Sequence, residues 1–545
     1  MFPPAEPVRA TAIEDTRETS SVARTGSTLR TRDGAIRVEV VLLGIAALAA
    51  VLVAVMNRGG LGGIPPDSGV YLSTAEHLRN GHGFTTSFDT LYDHFGPRQA
   101  AGFGGDVPLV AWAPGFPTLL ALLGFVGDGN DAANVVNIVC TGLSVFMGGL
   151  IVLRITKSGL RAVIAAIAIA IFPEVLVFTG IVMSETMFVT VALASILAAY
   201  HYAERPTGWR LTLVAGAGVL ATLTRLAGVS VPAALAATVL VVVPGTWLQR
   251  IARGAAAGAP GVVFALAWRA RDAASPIHWH PPGRVDVDTI GRTIGAWFGT
   301  GNPTAWRAVG IVVAFALFCL AMYTAFVVKR PDASRALAVG LGFLTITSVL
   351  VVAIARTFTD AQVPFSSRLL LPGIVSFVLL VTSSRLERWP RVDRVLAGVL
   401  IAIAVFVLWP WSVRGGWFPS SSGSTTTARA ITSTAVAPYY PRISTVVRKL
   451  PPGRIVSDYP ENTWFYADRS SIHMPSKQDV TGGRPNADFD GQMQEVADVL
   501  RRGDFVVLYR CPSDAPFFPT VDEIRRYVKM TTVYEAGDGC IFRVS

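Results

Sequence analysis

Charge is what this chain has least of: only 15% of its 545 residues are Asp, Glu, Lys or Arg, against about 25% in soluble globular domains. With 51% hydrophobic residues, that deficit excludes an ordinary soluble protein and assigns the chain to a bilayer. No apolar stretch ending at a small-residue cleavage site occurs in residues 1–36, which are polar and rich in Thr, Ser and Arg. The first hydrophobic span is therefore expected to be an uncleaved anchor, preceded by a disordered cytoplasmic segment. No internal repeat and no mid-span carboxylate is found, although transporters commonly use both. The net charge of +10 comes from Arg residues spaced in short groups between apolar runs. That spacing reflects membrane orientation, and it implies no nucleic-acid partner.

Apolar stretches near the roughly 20 residues needed to cross the hydrocarbon core lie at 37–56, 131–153, 161–178, 184–203, 209–226, 229–248, 255–271, 307–328, 336–355, 368–385 and 395–413. These give an expected α-helical polytopic membrane protein with about 11 transmembrane helices. Residues 113–127 are too short to cross and begin with two prolines, so they are expected to be re-entrant or interfacial. A cytoplasmic N-terminus puts Arg154, Lys157 and Arg161, then Arg205 and Arg210, Arg250 and Arg253, Lys329, Arg330 and Arg335, and Arg385, Arg388, Arg391 and Arg394 in inside loops. Every inside loop is then basic. The outer side receives the long first loop 57–130, the loop 272–306 and everything beyond 413.

That last portion divides into a Ser/Thr-rich linker, 414–436, and an extracytoplasmic α/β domain, 437–545, in which short strand-like and helix-like runs alternate. Cysteine is sparse, with four residues in all. Cys140 and Cys319 lie in spans as small apolar residues, whereas Cys511 and Cys540 share the outer domain and are expected to form a disulfide.

Ionisable residues at the ends of spans carry the most information, because charge at membrane depth is costly. Asp67 follows the first span, Glu185 opens the fourth, Arg225 ends the fifth and Arg368 opens the tenth. Two carboxylates and two guanidiniums around one outward-facing cavity suit glycosyl transfer from a lipid-linked sugar. Asp67 would take the proton of an acceptor hydroxyl, with Glu185 as the second carboxylate of the catalytic pair. Arg368 and Arg225 would hold the departing phosphate. A single base opposite the leaving group predicts inversion at the anomeric carbon. Tyr71, Trp112 and Phe116 are the expected substrate-groove residues. Each has a plainer reading too: Asp67 as an N-cap, Glu185 as a cap or ion-pair partner, the arginines as snorkelling side chains, and the aromatics as interface anchors.

Other polar groups say less. His82, Asp89, Asp93 and His94 in the first outer loop, His278-Trp279-His280, and the Asp286-Val287-Asp288 triplet could each offer metal ligands or be solvated loop polarity. No cofactor is assigned, and a divalent metal stays open.

The segments DSGVYLSTAEHLRNGHGF (67–84), WAPGFPTLLALLG (112–124), FPEVLVFTGIVMSETMF (172–188) and SRLLLPG (367–373) together resemble the GT-C superfamily of polyprenyl-phosphate-sugar-dependent glycosyltransferases. The resemblance spans about 37–375 and is strongest to the protein O-mannosyltransferase-like and lipid A aminoarabinose transferase-like group. It implies a plasma-membrane enzyme with a polyprenyl-phosphate sugar donor and a lipid, glycan or protein acceptor. It maps the family's catalytic Asp onto Asp67, its Ser-Glu pair onto Ser184 and Glu185, and its Arg ahead of a Leu-rich run onto Arg368. Ser68 stands where the O-mannosyltransferases have Glu, and Ala111-Trp112-Ala113-Pro114 stands where the aminoarabinose transferases have an acidic-Lys-Pro-Pro motif. Acceptor identity therefore does not carry over. The rival from another class is a transporter or flippase for a lipid-linked or small polar substrate, which the missing repeat disfavours.

Overall fold

The computed structural model describes residues 26–56, 65–88, 106–109, 112–273, 304–327, 332–359, 367–384, 441–478, 485–509, 511 and 518–545. The span expected at 395–413, the linker 414–436, and Asp89, Asp93, His94, His278, His280, Asp286 and Asp288 lie outside them.

Most of the described chain up to residue 384 is helical. The helices are α1 (Gly26–Met56), α2 (Pro66–Arg79), α3 (Gly115–Leu122), α4 (Gly129–Thr156), α5 (Gly159–Ala170), α6 (Pro173–Thr179), α7 (Glu185–Glu204), α8 (Gly208–Thr224), α9 (Ser230–Val242), α10 (Trp247–Ala273), α11 (Thr304–Val327), α12 (Asp332–Ile354) and α13 (Ser367–Thr382). Five stretches among the described residues are long and apolar enough to cross a membrane: Val38–Met56, Gly129–Thr156, Glu185–Glu204, Trp247–Arg271 and Ala333–Phe358. Shorter apolar stretches are Gly159–Ala170, Leu226–Val242, Val312–Val327 and Arg368–Thr382. The stretch 161–178 is not one continuous helix but two, α5 and α6, because Pro173 has no N–H to continue a ladder and instead occupies the first turn of the next helix. Likewise α9 stops at Val242, ahead of Pro244 and Gly245. The eight residues of α3 rise only about 12 Å, too little to cross.

Boundaries are set by local chemistry. Asp128 caps α4 by accepting from Asp131 N, and Lys157 ends the helix in the left-handed conformation at φ 55°. Ser158 then caps α5. Between α4 and its neighbours runs a ladder of buried polar pairs. Asn137 Nδ2 donates to Ile181 O (2.6 Å), Thr186 donates to Asn137 Oδ1 (2.7 Å), Thr141 meets Thr179 (2.9 Å) and Ser144 meets Thr190 (2.8 Å). In an apolar bundle such bonds fix rotation about the helix axis, where apolar contact alone would let one helix slide on another. This ladder places the segment ahead of Glu185.

Residues 57–130, expected to be one long outer loop, contain α2, a two-stranded ribbon of β1 (Thr85–Thr86) and β2 (Val107–Pro108), and α3.

From residue 441 the chain forms an α/β sandwich. Its helices are α14 (Pro441–Lys449), α15 (Pro460–Ala467), α16 (Phe489–Val499) and α17 (Val521–Arg525). The strands are β3 (Ile455–Ser457), β4 (Ile472–His473), β5 (Phe505–Leu508), β6 (Met530–Ala536) and β7 (Gly539–Val544), in the order β4-β3-β5-β7-β6. β3 is parallel to β4 and β5, while β7 is antiparallel to both β5 and β6. Alternation divides each strand between two cores. Val456, Val506, Leu508, Cys540 and Phe542 pack under α16 and α17, and Ile455, Phe505, Val507 and Ile541 pack under α14 and α15. Gly539, at φ 145°, turns the β6–β7 hairpin where a Cβ would come within 2.5 Å of Leu508 O.

Cys511 and Cys540 are joined by a disulfide that closes a separation of 29 residues, with Cα atoms 5.6 Å apart. Loop closure of that length corresponds to about 3.6 kcal/mol. Reduction of the intact protein is therefore expected to lower its unfolding temperature. An unfolding temperature that ignores reductant would remove this stabilising role.

Candidate active site

Helix α2 is carried to its position by its own N-terminal turn. Pro65 is extended (ψ 152°) and Pro66 begins the helix, so Asp67 sits one residue inside it, and no side chain caps the turn. Asp67 is thus not an N-cap. Behind it, Ser68 Oγ donates to Val182 O (2.7 Å), and Tyr71 Oη lies 3.2 Å from Ser184 Oγ. These two bonds fasten α2 to the 182–184 segment, directly ahead of Glu185. Gly69, on another side of the helix, faces α15 of the C-terminal sandwich, where a Cβ would approach Glu461 Cβ to 2.6 Å.

The structure brings all four predicted ionisable residues together. Arg368, at the start of α13, donates Nε to Glu185 Oε1 and Nη2 to Asp67 Oδ2. Arg225, at the end of α8, places Nη1 2.6 Å from the same Glu185 Oε1 and 3.1 Å from Ser184 Oγ. The second oxygen, Glu185 Oε2, is buried and has no hydrogen-bond partner among the described residues. Asp67 Oδ1 accepts from Trp112 Nε1 at 3.2 Å. Exposure divides the cluster: the side chains of Glu185 and Arg225 are 1% and 10% exposed, but Asp67 and Arg368 reach 21% and 26%. One carboxylate is sealed behind two cations, and the other stands where solvent and a solute can reach it.

Burial pushes the Asp67 carboxyl upward, but the Arg368 guanidinium beside it, then the Arg225 charge and the Trp112 N–H, outweigh that and hold it below the ordinary carboxylate value. Tyr71 goes the other way, pushed up to about 12 by burial, and so stays a neutral phenol. Its ring meets Phe116 edge-on at 5.0 Å, with the two residues 3% and 0% exposed. Tyr71 and Phe116 therefore pack α2 on α3, and Trp112, half-buried, is the aromatic residue that touches the charged cluster.

His82 pairs with Asp106 (Nδ1 to Oδ2, 2.9 Å), and His77 shares that carboxylate at 3.3 Å. Among the described residues, no group of three or more His, Cys, Asp or Glu side chains is arranged to hold a metal ion.

Sequence reading did not single out Trp268 and Arg271 at the end of α10. Trp268 Nε1 donates to Trp112 O (3.0 Å), while Arg271 donates Nη1 to Leu109 O (2.8 Å) and Nη2 to Phe84 O (3.3 Å). Their i, i+3 spacing near a helix end was the available signal, since it puts both on one face.

No family model matches this chain, and no curated protein does. Several solved structures resemble it, among them the following two. ArnT from Cupriavidus metallidurans bound to undecaprenyl phosphate is 14% identical, with 91% of this chain and 97% of that one covered and a TM-score of 0.47. The archaeal oligosaccharyltransferase AglB from Archaeoglobus fulgidus, in complex with an inhibitory peptide and a dolichol-phosphate, is 13% identical, with 93% and 74% covered and a TM-score of 0.45.

Proposed function

We propose that the chain is a membrane glycosyltransferase that moves a sugar from a polyprenyl-phosphate donor to an acceptor hydroxyl on the extracytoplasmic face, with inversion. The observation that carries this reading is the difference in exposure within the charge cluster: a reachable carboxylate, Asp67, shares a reachable guanidinium, Arg368, with a sealed carboxylate, Glu185.

The cluster can do the chemistry by exchange of ion-pair partners. A donor phosphate that approaches Arg368 competes with Asp67 for the same N–H groups, and Arg forks favour phosphate oxygens. Asp67 is then released to accept the acceptor's proton. The acceptor oxygen forms a bond to the anomeric carbon, the bond from that carbon to the phosphate oxygen breaks, and its electron pair leaves with the lipid phosphate. Arg368 receives that charge from the front and Arg225 from behind. Glu185 keeps both guanidiniums in place from its buried position.

The extracytoplasmic side is favoured by the basic inside loops and by the Cys511–Cys540 disulfide, which needs an oxidising compartment. It follows that the N-terminus is cytoplasmic and the C-terminal sandwich lies outside, near the acceptor.

The test is a panel of polyprenyl-phosphate sugars added to purified protein. A donor of the right class is expected to raise the unfolding temperature and to be consumed on addition of an acceptor, while the bare lipid phosphate also stabilises. If no member of the panel stabilises the protein, this reading falls. Transport of a labelled donor across proteoliposomes without its consumption would favour the flippase alternative.

A further inference from the structure

Phe84, Leu109 and Trp112 are tied to the end of α10 by side-chain to backbone bonds. Arg271 reaches the carbonyls of Phe84 and Leu109, which are themselves bridged by Leu109 N donating to Phe84 O at 2.8 Å. The Arg271 guanidinium lies 4.6 Å over the Trp268 ring. That ring is held edge-on by Phe84 at 5.4 Å and stacked by Phe264 at 6.2 Å. Its N–H goes to the carbonyl of Trp112, and Trp112 and Trp268 both pack on the buried cluster of Val70, Phe88 and Leu109. At the end of this chain the Trp112 indole N–H meets Asp67 Oδ1.

We propose that Trp112, Trp268 and Arg271 form a brace that orients the Asp67 carboxylate, with Trp112 as the positioning residue in contact with the base and the other two acting through it. The inference rests on the transferase reading and assigns the two carboxylate oxygens different tasks. Oδ1 belongs to Trp112, and Oδ2, which faces Arg368, is the oxygen that takes the proton once phosphate draws the guanidinium away. Without the indole bond, a carboxylate parted from Arg368 has no remaining side-chain donor to hold its rotamer among the described hydrogen bonds. A side chain held by both of its ends loses little freedom at the moment of reaction.

The experiment uses the full-length protein in detergent and variants Trp112→Phe and Trp268→Phe, which keep an aromatic ring and remove one N–H each. Carbodiimide coupling reports protonation of Asp67, read by mass spectrometry as a function of pH, and needs no sugar. Among the described residues, Arg368, Arg225, Glu185 and Tyr71 are ionisable groups that act on Asp67, and none of them is altered. Loss of a hydrogen bond to the charged form should move the labelling midpoint of Trp112→Phe up by about one pH unit. Trp268→Phe should move it in the same direction by less. In turnover, kcat of Trp112→Phe should fall roughly tenfold with the donor KM unchanged.

An unchanged midpoint and unchanged kcat in Trp112→Phe would overturn the brace while a working wild type keeps the transferase reading. A shifted midpoint in a protein that transfers no sugar would uphold the brace and sink the transferase reading. Should Trp112→Phe fail to fold, an unmoved midpoint in Trp268→Phe overturns the brace by itself.

Discussion

Asp67→Asn is expected to leave a folded protein that transfers essentially no sugar. Asn has nearly the same shape but no basic oxygen, and its one carbonyl oxygen can accept from Trp112 or from Arg368, not from both. The loss should therefore fall on kcat, by roughly 10² to 10⁴, with a donor KM within about threefold of wild type. The charge left on Arg368 is met by Glu185 and by water, since the Arg368 side chain is 26% exposed, so the unfolding temperature should move little. Initial rates beside thermal melts of the same preparations decide the matter. Near-normal turnover in a well-folded variant would remove Asp67 as the base.

The same pair of groups predicts how the rate responds to acid. Because Arg368 holds the Asp67 carboxyl below its ordinary range, the protein without donor keeps this group ionised at neutral pH. Its contribution to stability is present above the unfolded-state value and is lost as pH falls through the lower folded one. A donor phosphate that takes Arg368 and brings a negative charge close to Asp67 works in the opposite direction and raises its basicity. The acid limb of kcat should thus lie at higher pH than the acid limb of kcat/KM, which reports the enzyme before donor binds.

The four charged residues were legible in the sequence because an ion at the end of an apolar span is expensive and rarely accidental. What could not be read was how they pair. That Arg368 bridges Asp67 and Glu185 depends on a separation of 301 residues to one and 183 to the other. Trp268 and Arg271 escaped because their acceptors are backbone carbonyls, which every residue has and no motif marks. Hydropathy averaged across Pro173 fused α5 and α6 into one span. β4 has only two residues, too few to show alternation. Asp67 itself illustrates a competition between two good local readings: Asp before Ser68 has the form of a cap, but Pro65 and Pro66 start the helix earlier and direct that carboxylate to an arginine.

Arg368→Ala should act on donor binding before anything else. The Arg368 fork presents Nε to one carboxylate and Nη2 to another, and by the exchange argued above the same N–H groups pass to the phosphate. Removal of one partner from such a charged contact costs about 2 kcal/mol or more, so polyprenyl-phosphate affinity should fall at least about 30-fold. Stability should fall too, by about 1–3 kcal/mol. A fully buried pair would cost more, but water reaches Asp67 and Arg368 and relieves part of the repulsion left between Asp67 and Glu185. Arg368→Lys restores the charge without the planar fork, so it should recover stability better than affinity. Arg225→Ala provides the contrast. Its side chain is 10% exposed and its partner Glu185 is sealed, so this variant should lose more stability than Arg368→Ala and less donor affinity. Titration of the bare lipid phosphate into the three variants separates the two roles, and donor binding at wild-type strength in Arg368→Ala would overturn the phosphate clamp.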